Sequence, residues 1–172
     1  GLRFTEEKVR KAIFDVLGSY VEGKTLLELF SGSGGIGIEA FSRGAREVTF
    51  VDSNISCIDA IKKNVPLELK EKSTILHFDF LRAIEHLDRV NKKFDLVIMD
   101  PPYKSDLVVL VLKKIFQSDI LARNSLIIVE HHRDEKINDP SLYGLYLLSH
   151  KRYGVSCVSF FKFLDKQDGK SK

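Results

Sequence analysis

Thr25-Leu26-Leu27-Glu28-Leu29-Phe30-Ser31-Gly32-Ser33-Gly34-Gly35-Ile36-Gly37 is the stretch on which the fold turns. Its first six residues form an apolar run of strand length, and the glycines behind them let the backbone bend sharply and come close to a ligand. A helix opens there and runs to about Arg43, where Gly44 suits the left-handed position that ends a helix. The next strand, Glu47 to Val51, ends in Asp52, twenty residues after Gly32. A carboxylate at that point can accept hydrogen bonds from ribose hydroxyls. Taken alone, Gly32 to Gly37 also satisfies the Gly-x-Gly-x-x-Gly dinucleotide fingerprint, so a nicotinamide or flavin enzyme competes. Glu28 argues the other way, because a carboxylate just before the glycines suits a cationic amino-acid group better than a pyrophosphate. S-adenosylmethionine carries such an ammonium and has no phosphate.

Outward from this stretch, strands and helices alternate, which predicts a mostly parallel sheet covered on both faces. Thr5 is expected to cap an entry helix whose apolar positions Val9, Ile13, Val16, Leu17 and Tyr20 share a face, with Glu6 and Glu7 in its first turn. Ser53 or Asn54 starts the helix after Asp52; Ile58, Ile61 and Val65 form its stripe and Pro66 stops it. A strand from Thr74 to Phe78 ends at Asp79, and Phe80, Ile84 and Leu87 then recur at helical spacing. Phe94 to Met99 is an apolar run of the kind a central strand has. Leu107 to Phe116 is valine-rich, but its length and its place between strands favour helix. Strand Ser125 to Glu130 and a loop at Arg133 to Pro140 follow. Tyr143 to Ser149 and Val155 to Phe163 then read as an antiparallel hairpin turning at Tyr153-Gly154. The expected architecture is a three-layer Rossmann-like sandwich with a seven-stranded, mostly parallel sheet ending in that hairpin. Residues 1–164 are expected to form one domain, with residues 1–20 as its N-terminal helix, and 165–172 a charged, disordered tail.

Asp100-Pro101-Pro102-Tyr103-Lys104 follows the Phe94 to Met99 strand and points to methyl transfer onto an exocyclic amine of a nucleobase. Such a nitrogen is nearly planar, so an enzyme holds it with acceptors and stacks the ring to aim it. Asp100 supplies a carboxylate, the carbonyl of Asp100 or Pro101 a second acceptor, and Tyr103 a face worth roughly 1–3 kcal/mol of stacking. The prolines fix φ and donate no N–H, which frees local carbonyls to face a site. Glu28, Asp52, Asp79 and Asp100 each follow an apolar strand, so a parallel sheet gathers them at its carboxyl rim. Asp79 has a plain alternative as a helix cap, and Asp95, away from the rim, is expected to pair locally.

At 172 residues with a net charge of +3, the chain is long enough for a full core and only mildly basic. Basic residues group at Arg3, Lys8, Arg10 and Lys11, at Lys62 and Lys63, and at Lys151 and Arg152. Two cysteines, Cys57 and Cys157, show no metal-ligand spacing. No signal peptide or apolar run of eighteen residues is present, so a reduced, cytoplasmic protein is expected, with no membrane association. His131-His132 invites a metal reading, but adjacent histidines on an extended chain diverge and no third ligand has suitable spacing. No metal is expected, and both are read as surface or rim histidines. His77, His86 and His150 stand isolated.

Leu27 to Gly34, Gly37-Ile38-Glu39-Ala40, Ser42-Arg43-Gly44-Ala45 and Asp100-Pro101-Pro102-Tyr103 together resemble the bacterial RsmD-type methyltransferases, which methylate guanine N2 in small-subunit ribosomal RNA. The likeness covers nearly the whole chain. It includes Arg3-Phe4-Thr5 and Val9 to Phe14, with Phe4 and Lys11 where the family usually has proline and glutamate. The resemblance implies S-adenosylmethionine as cofactor, held by Glu28, Phe30, Ser31, Gly32, Ser33, Gly34, Asp52, Ser53, Asp79 and Phe80. Glu28 is implied for the methionine amino group, Asp52 for the ribose, and Asp79 for the adenine amino group with Phe80 beside it. Asp100, Pro101 and Tyr103 are implied as catalytic; Arg3, Thr5, Arg10, Pro102 and Lys104 as contacts to ribosomal RNA or a small-subunit assembly particle. The acting form is expected to be a monomer. An amine methyltransferase on DNA adenine N6 or a protein side chain is the alternative, since Asp-Pro-Pro-Tyr occurs there too. The family usually has a hairpin-like segment ahead of the point matching Gly1. The sequence is therefore either trimmed or short there and, if trimmed, is expected to bind cofactor well and RNA poorly.

Overall fold

The computed structural model describes residues 2–103 and 106–165. The chain runs α1 (Leu2–Leu17), β1 (Thr25–Leu29), α2 (Gly35–Ser42), β2 (Glu47–Asp52), α3 (Ile55–Asn64), β3 (Ser73–His77) and α4 (Phe80–Arg89). It continues as β4 (Phe94–Met99), α5 (Leu107–Gln117), β5 (Leu121–His132), β6 (Leu145–Tyr153) and β7 (Ser156–Phe163). All seven strands join one sheet in the order β3-β2-β1-β4-β5-β7-β6. The first five are mutually parallel, and β7 runs antiparallel to both β5 and β6. This is the expected three-layer sandwich.

The central strands are apolar because both faces are covered: every residue of β1 is buried. On one face Val9, Ile13 and Phe14 of α1, Ala40 of α2 and Ile58 and Ile61 of α3 pack with Leu26, Phe50 and Ile98. On the other, Ile84 and Leu87 of α4 and Val108, Val111, Leu112 and Ile115 of α5 pack with Leu27, Val97 and Ile127. The i, i+3, i+4, i+7 spacing in α5 decides its helical state against the β propensity of its valines.

β1 lies between β2 and β4, so the chain moves outward through β2 and β3 and then returns to β4 on the other side. The connections leaving β1 and β4 therefore diverge, and a crevice opens at the carboxyl ends of these two strands.

Several local expectations are corrected. Helix α1 starts at Leu2, so Thr5 lies inside it rather than capping it; Leu2-Arg3-Phe4 contains no proline or glycine to stop the helix. Val16 is exposed and Phe14 fully buried, which turns the buried stripe toward Phe14. Strand β1 stops at Leu29, and Phe30 adopts φ 57° in the left-handed region. Strand β5 begins at Leu121, ahead of Ser125, because its pairing with β4 shifts register between Phe94 and Leu96. The final hairpin is longer than expected. Lys151 to Tyr153 continue β6, which carries a register shift between Leu147 and Ser149, and Gly154 turns the chain at φ 63°.

Asp95 pairs across the sheet: its Oδ2 accepts from the Thr25 N–H at 2.9 Å and from Thr25 Oγ1 at 3.0 Å. His131 is buried rather than at a rim. One of its ring nitrogens, Nδ1, donates to the His132 carbonyl at 2.9 Å, and Nε2 pairs with Ser159 Oγ at 2.9 Å. His150 is not isolated, because its Nδ1 meets the same Ser159 Oγ at 2.9 Å. Cys57 and Cys157 are free thiols. The expected tail beyond Asp165 lies outside the described residues. Among those residues no helix is long and apolar enough to cross a membrane.

Candidate active site at the carboxyl ends of β1 and β4

Glu28 is carried into the core by β1 and is only 3 % exposed. Its Oε1 has no hydrogen-bond partner. Burial pushes its carboxyl up to about 8, and backbone N–H groups of Gly37 and Ile36 at the start of α2 draw it only part of the way back. A buried acid with an unmatched oxygen stores a preference for a cationic partner. Glu28 lines an open cavity of about 190 Å³ together with Ser31, Gly32, Met99 and Asp100.

The loop after β1 is held by neighbouring strand ends. Ser31 N–H donates to the Val51 carbonyl at 2.9 Å, while its Oγ donates to the Glu28 carbonyl at 2.7 Å and accepts from Val51 N–H at 2.9 Å. Asp52 spends one lone pair of each oxygen on backbone: Oδ2 accepts from Gly32 N–H and Oδ1 from Asn54 N–H, both at 2.9 Å. It thereby ties the glycine loop to the start of α3, and its carboxylate also accepts from the Cys57 thiol, whose ionisation it opposes. Left-handed backbone at Phe30, Gly32 and Gly34, with φ 57°, 56° and 83°, lets this loop double back over the cavity. For Phe30 that conformation costs of order 1–3 kcal/mol, and such strain concentrates at ligand sites.

Asp52, Ser53, Asp79 and Phe80 do not line the cavity itself. Asp79 is exposed and caps α4, its Oδ1 accepting from Arg82 N–H at 2.9 Å. The Phe80 ring meets Phe30 at 5.9 Å, so the loops after β1 and β3 touch. The Ser53 carbonyl meets His77 Nε2 at 2.9 Å.

Across the crevice, β4 delivers Asp100. Its carboxyl opens to solvent at the cavity mouth yet is crowded by protein. That crowding raises it to about 6, helped by the charges of Glu6 and Glu135 and opposed by a hydrogen bond with Glu130. Glu130 is driven up to about 8, first by burial and then by the Asp100 charge and hydrogen bond. Pro101 is buried, whereas Pro102 and Tyr103 are exposed, Tyr103 at 55 %. Its hydroxyl pairs with Ser156 Oγ at 2.9 Å, and its ring meets His132 edge-on at 5.4 Å.

A family model described as conserved hypothetical protein 95 matches residues 1–162. The chain belongs to that family, the RsmD-type methyltransferases. Among its relatives is the ribosomal RNA small subunit methyltransferase D of Haemophilus influenzae, 31% identical over 161 residues, which span 90% of this chain and 80% of that protein. YlbH of Bacillus subtilis, named as a candidate rRNA methyltransferase, is 34% identical over 162 residues, 93% of this chain and 87% of its own. A conserved hypothetical protein of Streptococcus pyogenes superposes with a TM-score of 0.81 at 30% identity, covering 90% of this chain and 94% of that one. Magnesium protoporphyrin IX methyltransferase from Synechocystis, solved with bound S-adenosylmethionine, superposes at 0.74 with 13% identity over 94% and 81% of the two chains, a likeness of fold alone.

Other residues of this RsmD-type chain fall less simply. Arg10 lines the cavity itself, and its Nη1 lies so close to the glycine loop that a Cβ on Gly35 would come within 2.9 Å of it. Arg3 and Thr5 belong to α1, but their side chains lie outside the described residues, as does Lys104. Glu6 and Glu130 also line the cavity and were not among the expected site residues. For Glu130 the signal was present as a carboxylate near the end of an apolar strand. Its partnership with Asp100 comes from the pairing of Met99 with Val129 in adjacent parallel strands, which local pattern does not reveal.

Proposed function

We propose that this RsmD-type protein transfers a methyl group from S-adenosylmethionine to the exocyclic N2 amine of a guanine in small-subunit ribosomal RNA. One observation carries the reading most: a fully buried Glu28 with an unpartnered oxygen in the same cavity as Asp100. An ammonium on one side of that cavity and an amine on the other satisfy both acids. The family, and relatives named as small-subunit ribosomal RNA methyltransferases, agree with it.

When bound, S-adenosylmethionine supplies a methyl group activated by a positive sulfur. Glu28 holds its ammonium, and Ser31, Gly32, Ser33 and Gly34 cradle it with backbone beside Phe30. Asp52, with Ser53 next to it, accepts from the ribose hydroxyls. Asp79 and Phe80 receive the adenine. Asp100 and the carbonyl of Asp100 or Pro101 take the two amine hydrogens, and Tyr103 offers its ring face to the base. Pro102, Lys104, Arg10, Arg3 and Thr5 are the residues assigned to RNA contact. Alignment does most of the work. N2 is buried in a base pair, so the guanine is unpaired or flipped out when it reacts. Residues 1–164 act as one catalytic unit, working as a monomer in the cytoplasm.

The test is methyl transfer to immature small-subunit particles, naked ribosomal RNA and DNA, with mapping of the product. Transfer to N2 of guanine in the RNA substrates supports the reading; transfer only to DNA or protein replaces it with the alternative amine acceptor. In thermal shift, S-adenosylhomocysteine should raise the melting temperature and NAD should not.

A further inference from the structure

Asp100 does not face the cavity alone. Glu130 ends the apolar part of β5 beside it, because Met99 pairs with Val129. The two carboxyls are within hydrogen-bond reach of each other. Both line the cavity that also holds Glu28, Glu6 and Arg10. Two carboxylates cannot share that space fully ionised, and a hydrogen bond between them requires that one carry a proton.

We infer that Glu130 is a positioning residue for methyl transfer: it shares one proton with Asp100, donating it in a hydrogen bond that fixes one Asp100 oxygen and leaves the other for the target amine. The inference rests on the proposed reading of Asp100 as the group that receives the amine. The pair then carries one proton and a single negative charge before reaction. After the methyl group has moved, an N–H bond of the amine breaks, its electrons stay on nitrogen, and the proton joins Asp100. The pair ends with two protons and no charge. Glu130 is the proton holder of the two, since burial and the neighbouring Asp100 charge both raise it to about 8 while Asp100 rises only to about 6. Among the described residues, the groups facing the pair are Glu6 and Arg10 from α1, Glu28 from β1 and Glu135 from the segment after β5. The acids there favour keeping the shared proton; Arg10 opposes it.

The sign follows. As pH rises through about 8, Glu130 loses its proton and with it the donor, so turnover falls on the alkaline side; as pH falls through about 6, Asp100 is protonated and turnover falls on the acid side. Glu130→Gln keeps a donor that cannot ionise. In a kcat profile at saturating cofactor, where Glu28 is already paired, this variant should keep the acid limb and lose the alkaline one. Glu130→Ala should lose about 10- to 100-fold at neutral pH, the equivalent of one hydrogen bond to a charged group, and Glu130→Gln should recover most of it. A Glu130→Gln profile that superimposes on the wild-type one overturns the inference.

A second measurement needs no RNA. Carbon NMR of labelled aspartate side chains, with Asp100 assigned through Asp100→Asn, should show the Asp100 carbon sensing two titration steps in the wild type and one in Glu130→Gln. A single step in both overturns the shared proton. Should Glu130→Gln fail to fold, Glu130→Asp, which keeps the acid, must still show two steps, and one step there also overturns it. A wild-type protein inactive on every RNA but showing the two-step titration would sink the proposed substrate and leave the proton pair standing.

Discussion

Glu28 carries a cost that the rest of the site explains. Its carboxyl is raised from the ordinary 4.5 to about 8 by burial, so between those values the folded chain holds a proton that the unfolded chain has released. Stability therefore declines as pH rises across that window. Glu28→Gln, neutral throughout, should melt at about the wild-type temperature near pH 4 and above it at pH 8, by a difference of order 2–4 kcal/mol. The same variant should bind S-adenosylmethionine roughly ten- to a hundredfold more weakly by calorimetry, because a charged partner of the ammonium is gone. Melting curves that stay parallel at both pH values would remove the buried-acid account. Asp100→Ala should behave oppositely, keeping cofactor affinity while losing roughly 10²–10⁴-fold in transfer; unchanged turnover would take Asp100 out of the mechanism. Glu28 and Asp100 were legible because each marks the end of an apolar strand before a distinctive turn, Glu28 as the next-to-last residue of β1 and Asp100 just past β4. Glu130 precedes only a pair of histidines, and its importance depends on which strand lies beside it.

At the scale of elements, α2 shows how tightly the cofactor loop is tied to the sheet. A Cβ on Gly37 would fall 2.3 Å from Phe50 Cε1 and 2.7 Å from Val48 Cγ1, both in fully packed β2. Gly37→Ala must push the helix away from the strand, costing about 1–3 kcal/mol or more and weakening cofactor binding with it. Gly35→Ala meets only the tip of Arg10 and should unfold in urea at nearly the wild-type midpoint. Equal losses for both would mean that backbone freedom, rather than close approach, selects these glycines. Helices and central strands were readable because their periodicities match the faces they bury. Three features were not: the start of α1, where no residue stops the helix; the lower end of β5, where Asn124 takes φ 59° beside a register shift; and the length of β6. Each is decided by pairing or packing with a distant element, which a local pattern does not contain.

Across the whole molecule, charge is divided between inside and outside. Glu6, Glu28, Asp100 and Glu130 gather at the cavity, while the chain as a whole carries +3, so cations are in excess elsewhere. Exposed Arg133, Lys151 and Arg152 lie where β5 ends and the final hairpin turns; Arg133 N–H donates to the Val155 carbonyl at 2.8 Å, and Arg152 Nε to the Gly154 carbonyl at 3.1 Å. Tyr103 is joined to the same corner through Ser156. The acidic cavity favours a cationic cofactor and repels phosphates, so on the proposed reading the RNA backbone is met by this outer corner and only the base enters. For a short unpaired RNA these three cations contribute about −2 to the slope of log K against log salt, beside what Arg3, Arg10 and Lys104 add on the proposed reading, and Arg152→Ala should reduce the slope by about 0.7. Filter binding or fluorescence anisotropy between low and physiological salt reads this directly. A slope several times steeper, or one that Arg152→Ala leaves unchanged, would place the RNA track on another face, because net charge alone is too small to hold a long phosphate backbone without a dedicated row of cations.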